Sequence, residues 1–260
     1  MKRRKYMAHS FQPAALNILY EDDQIIVCVK PHGIATQSRS LAAPDMVRLI
    51  KSHLYHSGAA HSSRSGNEPY LAVIHRLDQP VSGILVFAKT PAAARELNRQ
   101  LQDPEKSSFG KYYRALVEKK PAREHGILEN YLCKDSRTNT SRVCDASTPG
   151  ARLARLEFHT TVDNFFHWGR GISGNPPSPM KPAELFIHIF TGRHHQIRVQ
   201  LANIGCPIVG DTKYNPHSMW NVGKNGWQQI YLCACKLSFL HPKTGKPMVF
   251  ELEDASACGF

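Results

Sequence analysis

Short apolar segments that alternate with polar turns run through most of the chain. Residues 25–29 are continuously apolar and lead into the turn of residues 30–33, which predicts a buried strand. Similar segments predict further strands at residues 71–74, 84–89, 111–118, 127–132, 152–162, 184–190, 231–240 and 248–252. Residues 169–182 hold three glycines and four prolines, so we expect a surface loop there.

Three segments have the spacing of a helix instead. In residues 46–56, apolar side chains recur every three or four positions. Residues 91–103 follow a threonine N-cap, begin with proline at the first helical position, and carry an apolar stripe. A third, short helix is predicted over residues 195–204, with Gly205 as its C-terminal stop.

The order of these elements indicates the fold class. Several antiparallel strands with a few helices between them are typical of α+β proteins, and we predict a mixed, mostly antiparallel sheet with flanking helices and loops around a central cleft. Nothing marks a second domain boundary, so residues 18–254 are expected to form one domain. Residues 1–17 start with four basic side chains and lack the apolar segment of a secretory signal, which favours a basic N-terminal arm.

The charge of the chain narrows the choice of partner. Lysine and arginine number 33 against 21 aspartates and glutamates, which leaves a net charge of +12 with histidine neutral. Such an excess favours a polyanionic partner. Nucleic acid, an acidic membrane surface and an acidic protein all meet that requirement, so charge alone does not choose among them.

Two further observations bear on the compartment. No stretch approaches the roughly 18 apolar residues that cross a bilayer, so we expect a soluble, cytoplasmic protein without a membrane partner. The seven cysteines are an odd number, and most, Cys233 among them, lie among apolar residues where a reduced thiol packs well. We therefore expect no disulfide framework.

The segment between two predicted strands carries the candidate chemistry. Residues 75–83 place the carboxylate of Asp78 on a loop with cations nearby, and loops on rigid strands are common positions for reactive groups. Taken alone, Asp78 fits a turn residue or an ion-pair partner of Arg76 better than a catalytic group.

The wider sequence around this loop resembles a known family. His75-Arg76-Leu77-Asp78, followed two residues later by Val81-Ser82-Gly83 and an apolar strand, is similar to the signature of the RluA-like RNA pseudouridine synthases. Further blocks resemble the same family in the same order: residues 18–22, 30–33, 111–117, 191–202, 210–211 and 232–250. The resemblance implies that family's catalytic fold and the conversion of uridine in RNA to pseudouridine.

The same resemblance implies roles for three side chains. Asp78 would be the essential aspartate, Tyr113 the tyrosine against the target base, and Arg198 the cation paired with the aspartate. A forked guanidinium suits the last role, because it orients a carboxylate through charge-assisted hydrogen bonds. The ordinary alternatives are a solvated helix residue for Arg198 and a plain strand residue for Tyr113.

Five other residues are expected at the RNA: His75, Arg76, Lys111, Arg193 and His195. Extruding a uridine leaves a gap in the stack, and Arg76 is the candidate to fill it or to hold the adjacent phosphate. A plain surface cation is the alternative for Arg76. His75 is expected to orient the loop, and Lys111 belongs to a short basic and aromatic run of the kind that contacts phosphates.

Neither a cofactor nor a metal is expected. Pseudouridine formation is an isomerisation without net redox change, so nicotinamide, flavin and metal are not required. Histidines 194 and 195 with Cys206, and the pair Cys233 and Cys235, lack the paired spacing of structural zinc sites.

The chain departs from the family pattern at three positions. Val81 replaces a threonine, His194 another threonine, and Gln200 a histidine. The first two lie near the expected site and put substrate preference in doubt more than activity. Only residues 1–17 precede the first matching block, so the small RNA-binding domain that many relatives carry is expected to be absent. The substrate is then a stem-loop of ribosomal or transfer RNA recognised by the catalytic domain itself, and a monomer is favoured.

Two rival functions remain at this stage. A non-catalytic RNA-binding or ribosome-assembly protein could retain the fold, but replacement of Asp78, Tyr113 or Arg198 would then be expected, and all three are present. An aspartate-dependent nucleosidase would instead release uracil and lower the mass of the RNA.

Overall fold

The computed structural model describes residues 16–40, 43–57, 68–103, 108–161, 182–216 and 230–253. Within these residues the chain forms eleven strands and three helices. In chain order they are β1 Asn17–Glu21, β2 Ile25–Lys30, α1 Met46–His56, β3 Ala72–Val73, β4 Ser82–Ala88, α2 Pro91–Gln102, β5 Gly110–Val117, β6 His125–Asp135, β7 Thr140–Cys144, β8 Arg152–Thr160, β9 Ala183–Ile189, α3 Gln196–Asn203, β10 Leu232–Leu240 and β11 Pro247–Glu251.

All eleven strands belong to one mixed sheet. Its order is β1-β2-β4-β10-β5-β9-β8-β6-β7, with β11 paired to β10 and β3 paired to β4. Neighbours are antiparallel except β4 and β10, which pair in parallel through Ser82 and Gly83. A methyl group on Gly83 would overlap the backbone of Ala234, so only glycine permits this approach. The predicted α+β class with a mostly antiparallel sheet is confirmed.

The two faces of the sheet carry separate apolar cores. One core contains α1, α3 and inward side chains of β5 and β9. The other contains α2 and the opposite side chains of β2, β4 and β10. Because side chains alternate along a strand, Lys111 and Tyr113 of β5 point to the face that carries α3.

The helices follow their sequence signals closely. The Asp45 carboxylate accepts a hydrogen bond from the backbone N–H of Arg48 at 2.8 Å and begins α1. Thr90 caps α2 in the same way. Helix α3 begins one residue later than predicted, because His195 has a left-handed backbone, with φ 53°. Gly205, with φ 73°, follows its end.

The apolar sequence pattern did not predict all of the strands. Strand β7, which is short and largely polar, was not predicted, and β6 extends beyond residues 127–132 on both sides. These residues form strands because β6 pairs through its backbone with β7 and β8. Backbone pairing of this kind does not require an apolar sequence pattern. Two predicted segments lie almost entirely outside the described residues. They are the basic arm, of which residues 1–15 are not described, and the loop, of which residues 169–181 are not described.

The oxidation state of one cysteine differs from the expected reduced thiol. Cys28, Cys133, Cys144, Cys206 and Cys235 are free thiols. Cys233, which is fully buried, is disulfide-bonded, so the expectation of a reduced thiol there is wrong. The sequence around Cys233 shows its apolar surroundings but not which distant sulfur comes within bonding distance.

Two features are absent from the described residues. No helix there is both long and apolar enough to cross a membrane. No group of three or more histidine, cysteine, aspartate or glutamate side chains in that part of the chain is arranged to hold a metal ion.

Candidate active site

The loop that carries Asp78 is held by backbone contacts on both sides of this residue. The Leu77 N–H donates to the Thr36 hydroxyl, which donates in turn to the Leu77 carbonyl, each at 3.1 Å. On the other side, the Gln79 carbonyl accepts the Gly33 N–H at 2.9 Å. Asp78 therefore projects from a short segment that is fixed against the turn after β2.

A buried lysine strengthens this attachment. Lys30 ends β2 with no exposed surface, and its ammonium donates to the carbonyls of Pro31, Ile34 and Gln79 at 2.9, 2.7 and 3.1 Å. Burial lowers the pKa of Lys30 to about 7, although the charge of Asp78 acts in the opposite direction. No role for Lys30 was predicted from sequence, where a lysine at the end of an apolar strand was the available signal.

The guanidinium of Arg198 joins two carboxylates. Its Nε and Nη2 donate to Asp211 Oδ2 and Oδ1, both at 2.7 Å, and its Nη1 donates to Asp78 Oδ2 at 3.3 Å. Arg198 is 3 % exposed, which excludes the solvated-helix alternative. Burial by itself lowers the pKa of Arg198, but the contacts with Asp211 and Asp78 outweigh this effect, so the pKa is raised. Sequence reasoning assigned no role to Asp211, and only its place in a matching block pointed to it.

An imidazole lies on the other side of the Asp78 carboxylate. His195 Nε2 is 3.6 Å from Asp78 Oδ2, and Nδ1 is 2.7 Å from the Tyr214 hydroxyl oxygen, which also accepts the Ser141 backbone N–H at 2.8 Å. Burial and the charge of Arg198 hold the pKa of His195 far below its usual range, so the ring is neutral. The tautomer with its proton on Nε2 avoids a lone pair facing the carboxylate, and the Tyr214 hydroxyl then donates to Nδ1.

A second imidazole covers the first. The His194 ring stacks on the His195 ring, with centroids 3.7 Å apart and an interplanar angle of 22°. His194 Nδ1 lies 2.9 Å from the Ser141 hydroxyl oxygen. The unpredicted strand β7, through Ser141, therefore contacts His194 directly and contacts Tyr214, the hydrogen-bond partner of His195. Neither Tyr214 nor Ser141 was singled out from sequence.

Tyr113 approaches from the sheet. It lies on β5, 6 % exposed, in the same apolar cluster as Leu77 and Val81. Burial and the negative charge of Asp78 both raise the pKa of Tyr113, so its hydroxyl keeps its proton. The structure thus brings Asp78, Tyr113 and Arg198 together from the loop before β4, from β5 and from α3.

The residues expected at the RNA differ in their exposure. Arg76 is exposed on the Asp78 loop. His75 is half-buried; its Nε2 accepts the Val86 N–H at 3.4 Å, and its Nδ1 has no hydrogen-bond partner among the described residues. Burial lowers the pKa of His75 to about 3. Lys111 is 7 % exposed, and Arg193 is partly buried, with its Nε donating to the Leu153 carbonyl at 2.7 Å.

This arrangement suits carboxylate chemistry on a polar, uncharged substrate. It offers one carboxylate that keeps some solvent exposure, a guanidinium fixed behind it, a protonated phenol and two imidazoles held neutral by burial. A carboxylate in this setting can attack an electrophilic carbon or remove a proton. The fold and the site therefore place one partly exposed carboxylate beside a buried guanidinium in a strongly basic chain.

Comparisons with known proteins identify the family. The model of the RNA pseudouridylate synthase family matches residues 24–203. An uncharacterized RNA pseudouridine synthase of Aquifex aeolicus is 30% identical over 244 residues, which is 92% of this chain and 69% of the relative. The dual-specificity RNA pseudouridine synthase RluA of Salmonella typhi is 27% identical and covers 91% of this chain and 92% of its own.

A solved structure supports the fold. Human RNA pseudouridylate synthase domain containing 4 superposes with a TM-score of 0.62 at 18% identity, covering 94% of this chain and 93% of its own. The chain therefore belongs to the RNA pseudouridylate synthase family. It is an RNA pseudouridine synthase, and the catalytic interpretation is favoured over a non-catalytic RNA-binding protein.

Proposed function

We propose that this protein converts specific uridines of ribosomal RNA, transfer RNA or both to pseudouridine, with Asp78 as the essential carboxylate and without a cofactor. The observation that carries the proposal is the contact of Asp78 with Arg198, itself fixed by two hydrogen bonds to Asp211. Relatives named ribosomal large subunit pseudouridine synthase D and C, at 28% and 27% identity, favour ribosomal RNA. The relative named dual-specificity keeps more than one RNA class open.

The reaction needs a carboxylate close to the sugar and the base. The bond from ribose to nitrogen 1 of uracil breaks, the base rotates, a bond to carbon 5 forms, and the proton leaving carbon 5 is balanced by one gained at nitrogen 1. Asp78 serves either by attacking the base or the sugar or by removing a sugar proton. Arg198 orients the carboxylate and stabilises its charge in each of these routes.

Tyr113 is proposed to lie against the extruded uracil. A tyrosine ring stacks on a base through its face, and its hydroxyl can hold a hydrogen bond inside the pocket. Because Tyr113 keeps its proton beside Asp78, it acts as a hydrogen-bond donor and not as a general base.

The surrounding cations are proposed to hold the RNA. Arg76, exposed two residues before Asp78, occupies the gap left by the uridine or binds the adjacent phosphate. His75 orients the loop, and Lys111, Arg193 and His195 line the approach of the nucleotide. The net charge of +12 supplies the affinity for the RNA backbone.

The test compares cells with and without this protein. Pseudouridines are mapped in total RNA by chemical tagging, and the cells lacking the protein receive either the wild-type chain or Asp78→Asn. We expect one or a few positions to lose the modification, to regain it with the wild-type chain, and to stay unmodified with the variant. Retention of most activity by Asp78→Asn would exclude the proposed role of this carboxylate.

Two measurements separate the rival functions. Isomerisation leaves the mass of the RNA unchanged, whereas a nucleosidase lowers it by the loss of uracil. We expect Asp78→Asn to bind RNA within a few-fold of wild type, because affinity resides in the basic surface. Loss of RNA binding together with activity would indicate a misfolded variant, which circular dichroism detects independently.

The organisation of the whole chain is part of the same proposal. We infer that residues 18–254 form the catalytic domain, that residues 1–17 act as a basic arm on the RNA, and that the protein works as a cytoplasmic monomer. Light scattering with and without RNA tests the oligomeric state, and removal of residues 1–15 tests the arm. Unchanged RNA affinity after that removal would contradict the role of the arm.

A further inference from the structure

Lys111 is a mostly buried cation with no counter-ion among the residues that the structure describes. It lies on β5 two residues before Tyr113 and on the same face, so their Cα atoms are about 7 Å apart. The residue is 7 % exposed. Among the described residues, its ammonium makes no ion pair and no hydrogen bond, in contrast to Lys30, which satisfies its ammonium with three carbonyls.

The charges that act on Lys111 and its neighbour are positive. Burial, and secondly the guanidinium of Arg193, lower the pKa of Lys111 to about 8. Burial and the charge of Arg152 in turn lower the pKa of Arg193. Among the described residues Lys111 thus neighbours Arg193, and Arg193 neighbours the exposed Arg152. Asp78 is not among the groups that act on Lys111.

The backbone beside Lys111 leaves its ammonium open. Gly192 precedes Arg193, and a methyl group placed on it would lie 3.4 Å from Lys111 Nζ, in ordinary contact. Any larger side chain at this position would occupy the space over the ammonium. The absence of a side chain at Gly192 thus leaves the Lys111 ammonium approachable from the loop that precedes α3.

An ammonium that has lost most of its hydration is unfavourable for folding unless something compensates its charge. Methionine has a similar shape and would occupy the same space without that cost. The fold therefore has no need of the charge, which points to a function that supplies a negative partner only when the substrate is bound. The backbone phosphates of RNA are the negative groups that a uridine-modifying enzyme meets.

We propose that Lys111 and Arg193 form a subsite for one backbone phosphate of the RNA, at or next to the nucleotide that faces Tyr113. This inference rests on the proposed function. The subsite adds a fixed electrostatic contact on β5, about two residues from Tyr113. This contact sets the position of the extruded nucleotide over Asp78. Arg193 closes the subsite on the solvent side, while Lys111 forms its floor.

The experiment uses Lys111→Met in the full chain, with the RNA fragment that carries the mapped uridine. RNA affinity is measured across a series of salt concentrations, and the loss of one phosphate contact reduces the slope of log affinity against log salt by about 0.7 to 0.9. We expect that reduction, a raised KM, and a higher melting temperature because the buried charge is gone. Lys120→Met is the matched control: it removes the same charge from an exposed position, where Lys120 pairs with Glu124 at 3.0 Å, and should leave the slope unchanged.

Methylphosphonate substitution locates the contact. Neutralising single phosphates around the mapped uridine should weaken binding to the wild-type protein at one position, and the same substitution should have no further effect on Lys111→Met. An unchanged salt slope in Lys111→Met, or a lowered melting temperature, overturns the proposal. Asp78→Asn reports separately on the proposed function: an inactive Asp78→Asn together with an unchanged slope in Lys111→Met removes the subsite and leaves the function standing.

Discussion

Arg198 and Asp211 are joined by two parallel hydrogen bonds of 2.7 Å, and this pair directs the remaining nitrogen of the guanidinium to Asp78. Both side chains are almost completely buried, whereas Asp78 keeps 28% of its surface exposed. The partly exposed carboxylate is therefore positioned, through Arg198, by a buried one. This relationship places Asp211 beside the three residues expected from sequence.

Asp211→Asn is expected to lower kcat by about 10- to 100-fold, because a guanidinium without its two-pronged partner no longer holds Asp78 in one orientation. Single-turnover assays on the mapped RNA measure this. The control is Glu184→Gln, which weakens another buried ion pair, with Arg114 at 2.6 Å, on the opposite face of the sheet. That variant should lose stability and keep its rate per folded molecule. Equal losses of rate in both variants would indicate that Asp211 is only structural.

Tyr214→Phe is expected to lower kcat by about tenfold with little change in KM, since one hydrogen bond that orients His195 is lost. The ring, whose centroid lies 5.2 Å from the Arg198 guanidinium carbon, remains in place. Ser141→Ala is the comparison: it removes the hydroxyl beside His194, whereas the backbone N–H that contacts Tyr214 survives, so it should lower kcat less than Tyr214→Phe does. A Tyr214→Phe enzyme with the wild-type pH profile and rate would exclude a positioning role for this hydroxyl.

Lys30→Met is expected to lower the free energy of unfolding by about 1 to 3 kcal/mol, because three carbonyls, at least that of Ile34 buried, lose their donor. Activity should fall as well, since the Gln79 carbonyl belongs to the Asp78 loop. Lys89→Met breaks the ion pair with Glu21 at 2.7 Å, away from that loop, and serves as the comparison. Denaturant titrations and rate measurements on both variants check this prediction. If the two variants lose activity equally, Lys30 does not act through the Asp78 loop.

The buried imidazole of His75 predicts a dependence of stability on acid. Its pKa is about 3 in the folded protein, against about 6.5 in the unfolded chain, so between these values the unfolded state binds more protons. The contribution of His75 to the free energy of unfolding is therefore fully present above about pH 6.5. It is lost, by up to a few kcal/mol, as the pH drops from about 6.5 to about 3. Melting curves across this range should be flatter for His75→Gln than for wild type. The exposed His125→Gln should keep the wild-type slope, and a His75→Gln curve as steep as wild type would contradict the assignment.

Several elements followed from local sequence signals. Asp45 and Thr90 begin helices because their side-chain oxygens accept otherwise unpaired N–H groups, and this preference is legible in a few neighbouring residues. The loop of Asp78 was recognisable because a polar segment separates two apolar strands. The family blocks placed Tyr113 and Arg198 beside it in expectation, and the roles of these residues stay predictions until they are measured.

Other features depend on contacts between distant segments. Asp211 and Tyr214 gain their importance from Arg198 and His195, and Ser141 reaches the site because β7 pairs at the edge of the sheet next to α3. None of these contacts leaves a periodic pattern, since a hydrogen bond between remote side chains imposes no constraint on their sequence neighbours. The left-handed backbone of His195, unusual for a residue other than glycine, likewise comes from the tertiary contacts around it.

The sequence by itself determined the helices, most strands, the α+β class and the position of the candidate carboxylate, because dihedral preference, amphipathic spacing and capping act over a few residues. Only the tertiary structure decided which charges are compensated. Arg198 meets Asp211 and Asp78, whereas Lys111 meets no carboxylate among the described residues, and the physical reason is that burial and Coulomb energy depend on packing in three dimensions.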